Sequence, residues 1–176
     1  MTDLLLDTEM SKEQRRFAET IRYSADSLLS ILNDILDVSK IEAGKITIEQ
    51  IPFDLHEQVE SSASLLAKEA DQKGIEIILD VPPSLPPAFI GDPGRIGQVL
   101  INLIGNAVKF TETGQIVIRV AYTNGELRIE VSDTGIGIPA ERLDAIFESF
   151  TQADGSTTRK YGGTGLGLTI SRQLVE

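Results

Sequence analysis

"NGELRIEVSDTGIGI", residues 124–138, opens on an Asn-Gly pair and closes on two glycines that flank a single isoleucine. Asn-Gly between alternating runs is the strongest short hairpin signal, because both residues accept the positive φ of a type I′ turn. The spacing therefore predicts paired strands over Gln115–Tyr122 and Glu126–Asp133. In the second strand Leu127, Ile129 and Val131 face one side, while Glu126, Arg128, Glu130 and Ser132 face the other. Asp133 shares the apolar side. A carboxylate there is costly unless something hydrogen-bonds to it. Either nearby backbone satisfies it, as in an Asx-type turn, or it meets a donor on a ligand. Gly135 and Gly137 beside it let backbone approach closely.

Upstream lies "DPGRIGQVLINLIGNAVKF", residues 92–110, where Pro93 opens a helix that runs to about Phe110. At about 100° per residue, Arg95, Asn102, Asn106 and Lys109 fall within roughly 60° of one another, beside an apolar stripe of Ile96, Leu100, Leu103 and Ala107. Two carboxamides one turn apart offer the hard oxygens that Mg2+ prefers, and a lysine one turn further suits a phosphate. For this helix alone a solvated polar face is the plainer reading, although asparagine is a mediocre helix former and two of them favour a function.

Downstream, Pro139 starts a further helix to about Ser149, and a Gly- and Ser-rich loop leads to a last helix from about Leu166. "YGGTGLGL", residues 161–168, places glycines at 162, 163, 165 and 167 beside that helix start, where amides and the helix dipole suit an anion. No Gly-Lys-Ser/Thr follows and no strand precedes, so the run is neither a P-loop nor a Rossmann fingerprint.

Towards the N-terminus, Lys45–Ile51 reads as a strand, Asp54–Gln72 as a helix and Ile75–Val81 as a strand before the connector "PPSLPP". The expected fold is an α+β sandwich, one sheet with helices on one face. Gly44 divides this region from a long helix. Ser11 and Gln14 form a capping box, after which Phe17, Ile21, Ser24, Leu28, Ile31, Ile35 and Val38 follow in steps of four and three. Leu29, Leu32 and Leu36 widen this heptad seam, so a partner helix is implied. Leu4–Leu6 reads as the tail of an earlier helix folding back on it.

Composition narrows the functions further. The chain has 176 residues, 41% of them hydrophobic, which is enough for one core and an appendage. With no cysteine and one histidine, disulfides, thiolate metal sites and histidine clusters are excluded. A net charge of −11 argues against nonspecific nucleic-acid binding, so an anionic ligand must be held by local groups. No apolar run approaches the roughly 20 residues of a membrane span, and no signal peptide is evident.

"QVLINLIGNAVKF", "DTGIGI", "IFESF" and "YGGTGLGL", in this order, resemble the four nucleotide-binding boxes of sensor histidine kinases. "LNDILDVSKIEAGK" resembles the end of the dimerisation and phosphoacceptor hairpin of hybrid, phosphorelay-type members. The resemblance implies a Bergerat-type ATP-binding sandwich at 45–176, after a partial hairpin at 1–44. It implies that Asp133 accepts from the adenine amino group, that Asn106 ligates Mg2+ with support from Asn102, that Lys109 meets phosphate and that Phe110 packs by the base. Gly135, Gly137, Ile138, Thr164, Gly165, Leu166 and Gly167 would line the nucleotide. Phe147–Thr164 would be a lid carrying Arg159 and Lys160. Catalysis would rest on Asn106 and Lys109. ATP and Mg2+ are the implied cofactors; a second copy through the N-terminal helix and a response-regulator receiver domain are the implied partners, in the cytoplasm, with a parent that could be membrane-anchored.

The departures from the family pattern matter as well. Its phosphoacceptor box, a histidine followed by an acid and then a proline, is missing. The sole histidine, His56, precedes Glu57, but Ser61 stands where the proline would be, and His56 begins a helix of the nucleotide-binding region. An ordinary, partly exposed histidine is expected. The chain reads as a piece of a longer kinase that binds nucleotide without phosphorylating itself. Two alternatives are a non-catalytic dimerisation or receiver-binding module and an ATPase of the topoisomerase or chaperone branch.

Overall fold

A computed structural model describes residues 1–143, 145–148 and 165–176. The chain forms two compact units, Met1–Ile46 and Thr47–Glu176.

In the first unit, α1 (Thr2–Leu6) precedes α2 (Lys12–Glu42). The Ser11 hydroxyl accepts from Gln14 N–H at 3.2 Å, and the Gln14 carboxamide accepts from Ser11 N–H at 2.9 Å, the reciprocal pair that starts α2. Ala43 closes the helix and Gly44 follows at φ 62°, the left-handed turn that glycine adopts without strain. Within the unit α1 folds back on α2. Leu6 and Ala18 are buried, and Arg15 donates to the Leu6 carbonyl at 3.1 Å. Along the heptad seam Phe17, Ile21, Leu28, Ile31 and Ile35 remain exposed, as do Leu29, Leu32 and Leu36.

The second unit is built from β1 (Ile51–Phe53), α3 (Leu55–Lys73), β2 (Ile75–Asp80), β3 (Phe89–Gly91), α4 (Pro93–Phe110), β4 (Gly114–Thr123), β5 (Glu126–Asp133) and α5 (Gly167–Val175). Its main sheet runs β2-β4-β5, parallel then antiparallel, so α4 lies in the crossover between the parallel pair. Asn124 (φ 55°) and Gly125 (φ 85°) make the hairpin turn that the dipeptide predicts. Leu55, Val59, Leu100, Ile104, Val108, Ile116, Ile118 and Val120 form the core between α3, α4 and one face of the sheet. Opposite, Arg119 pairs with Asp80 at 2.8 Å and lies 3.7 Å from Glu130, a cross-strand row of charges on the solvated side.

Four expectations change. Among the described residues the strands form two sheets rather than one, since β1 and β3 pair separately and antiparallel. Phe89 joins this small sheet to the main one, lying edge-on to Tyr122 with ring centroids 5.2 Å apart. The strand expected over Lys45–Ile51 begins only at Ile51, because the Glu49 N–H goes to the Asp92 carboxylate at 3.2 Å instead of to a ladder. Among the described residues, the helix expected from Pro139 is replaced by two single 3₁₀ turns, Ala140–Arg142 and Ala145–Phe147, with Arg142 N–H donating to Pro139 C=O at 2.9 Å in the first. The buried stripe of α4 is rotated, with Ile104 and Val108 inside and Leu103 only half-buried.

Candidate functional site

The polar residues of α4 and the loop after β5 meet at the C-terminal end of α4. A helix leaves its last four carbonyls without intrahelical donors. Here each has one: Ala107 C=O accepts from Thr111 N–H at 3.0 Å, Val108 C=O and Lys109 C=O from the Lys73 ammonium at 2.7 and 3.5 Å, and Phe110 C=O from Ile136 N–H at 3.3 Å. The last bond fixes the glycine loop to α4. The neighbouring Gly135 is tightly packed as well, because a Cβ there would lie 2.5 Å from the Phe110 oxygen and 2.8 Å from Asp133 Oδ1, so that any side chain would force the loop to shift. Asp133 is thereby placed beside the end of the helix that carries Asn106 one turn earlier, a rise of about 6 Å.

The parity argument puts Asp133 on the core side, opposite Ile116 in the ladder, yet the residue is exposed because the strand ends there. Its Oδ1 accepts from Gly135 N–H at 2.8 Å, so an Asx-type turn is present. One such bond leaves acceptor capacity on a carboxylate for a ligand donor. Gly137 (φ 68°) carries the loop through left-handed backbone, and Ile136 and Ile138 on either side are exposed.

On α4, Asn106 Nδ2 donates to Asn102 Oδ1 at 3.4 Å, and Asn102 Nδ2 donates to Ser171 Oγ of α5 at 2.8 Å. Gly167 packs so closely on the Asn102 amide that a Cβ would collide with it. α5 starts with Leu166 in the N-cap position, where no side-chain oxygen caps the first turn. Gly165 precedes it at φ 70°. The Lys109 ammonium lies 4.9 Å from the centre of the Phe110 ring, and burial pushes its pKa below the ordinary lysine value. An approaching phosphate would reverse that shift. Arg95, expected on the same face, instead donates to Gln98 at 2.8 Å.

Among the described residues, no three His, Cys, Asp or Glu side chains cluster to hold a metal. Mg2+ does not require such a cage; it binds through one or two protein oxygens plus phosphates and water. Asn106 fits that pattern, since donation through Nδ2 leaves its Oδ1 for a cation. Thr164, Arg159, Lys160 and most of the expected lid lie outside the described residues. His56 is exposed at the start of α3, 3.9 Å from Glu60. Lys73 and Ser171 carry no functional signal in the sequence. Lys73 reads only as a routine cation in a last helical turn, and nothing in its spacing tells that it reaches a neighbouring helix.

Comparison with known proteins gives this arrangement a family. Residues 91–176 match the family of histidine kinase-, DNA gyrase B- and HSP90-like ATPases, and residues 1–44 match the histidine kinase A phospho-acceptor domain. The signal transduction histidine-protein kinase BarA of Escherichia coli strain K12 is 48% identical over 179 residues, 99% of this chain and 20% of the relative. Full-length ShkA, crystallised with AMPPNP, superposes with a TM-score of 0.80 at 38% identity, over 99% of this chain and 36% of that one. The catalytic domain of the histidine kinase ThkA superposes with a TM-score of 0.63 at 31% identity, over 73% of this chain and 80% of that one. The chain belongs to the histidine kinases. It spans between 9% and 20% of the length of the first curated relatives.

Proposed function

We propose that this chain binds ATP with Mg2+ and presents the γ-phosphoryl group for transfer to a histidine, as the catalytic part of a longer phosphorelay kinase. The observation that carries the reading is the convergence of Asp133, the glycine loop and the amide-bearing end of α4, made by the Phe110–Ile136 bond and the tight Gly135 contact. Asp133 accepts from the adenine amino group. A guanine would turn a carbonyl towards the acid and leave both acceptors unpaired, which is how a hydrogen-bonding site discriminates strongly. Phe110 packs by the base, Ile138 and Gly137 border it, and Gly165, Leu166 and Gly167 bring backbone to the phosphates, together with Thr164 of the expected lid.

Mg2+, when bound, would supply neutralisation of the charge on the transferring phosphoryl group. Asn106 holds it through Oδ1 and Lys109 meets a phosphate. A Lys–phosphate pair at about 4 Å is worth ~1 kcal/mol in water and ~4 at an effective dielectric of 20. A few such contacts outweigh the screened field of a chain with net charge −11.

Residues 1–44 serve as part of a dimerisation hairpin, with the exposed seam of α2 packing on a second copy, and 45–176 as the catalytic domain. A response-regulator receiver is the expected downstream partner. Among the described residues no helix is long and apolar enough to cross a membrane, and a cytoplasmic location is part of this reading. The only histidine is the exposed His56 on α3, so the chain is expected not to phosphorylate itself. The test mixes this chain with an intact acceptor hairpin and radiolabelled ATP. Label on the hairpin histidine and none on this chain supports the reading; label on His56, or none on the hairpin despite bound ATP, overturns it.

A further inference from the structure

We propose that Ser171 is a positioning residue: by accepting the Asn102 amide hydrogen it keeps Asn106 Oδ1 available to the divalent cation of the nucleotide complex. The inference rests on the nucleotide reading above and adds to it a residue that does not touch the ligand.

Ser171 is 7% exposed on α5, with its Oγ 2.8 Å from Asn102 Nδ2. Asn102 is half-buried and held against Gly167, so its amide plane has little room. What it retains is the choice between its two ends. An amide presents an acceptor at one end and two donors at the other, in nearly the same shape. In the observed direction Asn102 Nδ2 donates to Ser171 and its Oδ1 accepts from Asn106 Nδ2 at 3.4 Å. Donor and acceptor then alternate along Asn106, Asn102 and Ser171, and the chain ends on Asn106 Oδ1, the hard oxygen that Mg2+ uses.

Without the serine oxygen, the Asn102 NH2 group would be left in a largely dehydrated place with no acceptor, which is unfavourable. Rotating the amide end for end would set that NH2 against Asn106 Nδ2, donor facing donor, and the matching turn of Asn106 that relieves this would commit Asn106 Oδ1 to accepting from Asn102. The cation would then compete with a hydrogen bond for its own ligand. Partners behind a metal ligand commonly change metal affinity when removed.

The experiment is calorimetric titration of the whole chain with ADP, once in excess Mg2+ and once in EDTA. For Ser171→Ala the expected result is an affinity lowered roughly tenfold in Mg2+, as for other residues behind a metal ligand, and unchanged in EDTA. Ser171→Thr, which keeps the hydroxyl, should restore the Mg2+ advantage. Should Ser171→Ala reduce the folded fraction, Ser171→Cys, of the same shape with a weaker acceptor, gives the same readout. Equal loss in both media would mean a merely structural role and overturn the proposal, as would no loss in either. If the unaltered chain binds no ADP in either medium, the nucleotide reading itself fails and this inference falls with it.

Discussion

The Phe110 carbonyl oxygen accepts from Ile136 N–H at 3.3 Å, and the same oxygen leaves no room for a side chain on Gly135. One backbone group thus ties the end of α4 to the loop after β5 and sets how close Asp133 comes to the helix that carries Asn106.

Gly135→Ala tests that tie. The new methyl meets backbone oxygen at 2.5 Å, which cannot swing aside, so the loop must move. The expected cost is about 1–3 kcal/mol of stability, as for other strained backbone positions. ADP affinity should fall roughly tenfold or more, equivalent to about 1.4 kcal/mol of binding energy. Gly105→Ala on α4 is the control, since a Cβ there meets nothing within 4 Å. It should stabilise by about 0.5–1 kcal/mol through helix propensity and leave ADP binding unchanged. Thermal melts and calorimetry on both variants check this.

Thr111 offers a second test. It is 1% exposed, and its hydroxyl oxygen has no hydrogen-bond partner among the described residues. Replacing an unsatisfied buried hydroxyl by a methyl of the same shape removes a desolvation cost, so Thr111→Val should raise stability by up to about 1 kcal/mol. Denaturant unfolding measures it; a loss of stability would mean that the hydroxyl has a partner.

The Asp92 carboxylate caps α4 through Arg95 N–H at 3.0 Å and receives Glu49 N–H at 3.2 Å. Burial works to raise its pKa, but the backbone donors and the Arg95 charge outweigh that and hold it below 3.8. A carboxylate with a depressed folded-state pKa contributes stability that is complete above the unfolded value and is lost as pH falls through the folded one. Asp92→Ala should therefore cost about 0.5–2 kcal/mol at neutral pH, as for other N-caps. The gap between the two proteins should close below 3.8. Unfolding curves at several pH values check the sign.

Much of this was legible in the residues, and for identifiable reasons. Alternation and Asn124-Gly125 gave the β4–β5 hairpin to within a residue, because a strand edge-paired through a two-residue turn is specified locally. Pro93 and the capping box at Ser11 placed two helix starts in the same way. Long-range partners were not legible. The short β1–β3 pair joins Phe53 to Phe89 across the whole of α3 and β2, and the 3₁₀ turns after Pro139 carry residues that read as well for a helix. At the site, motif order pointed to Asn106 and Asp133, but the residues that brace them, Lys73 and Ser171, sit 35 and 69 positions from the atoms they touch. No local pattern encodes such distances.

The central claim is that Asp133 reads the adenine of a nucleotide held by α4 and the two glycine segments. The measurement that tests it most directly is calorimetry of Mg-ADP with the unaltered chain and with Asp133→Asn, which keeps the side chain's shape and its Gly135 bond while removing the charged acceptor. The account predicts micromolar binding to the unaltered chain and no measurable heat for the variant at the same concentrations, with both proteins melting alike. Equal affinity in the two proteins would contradict it.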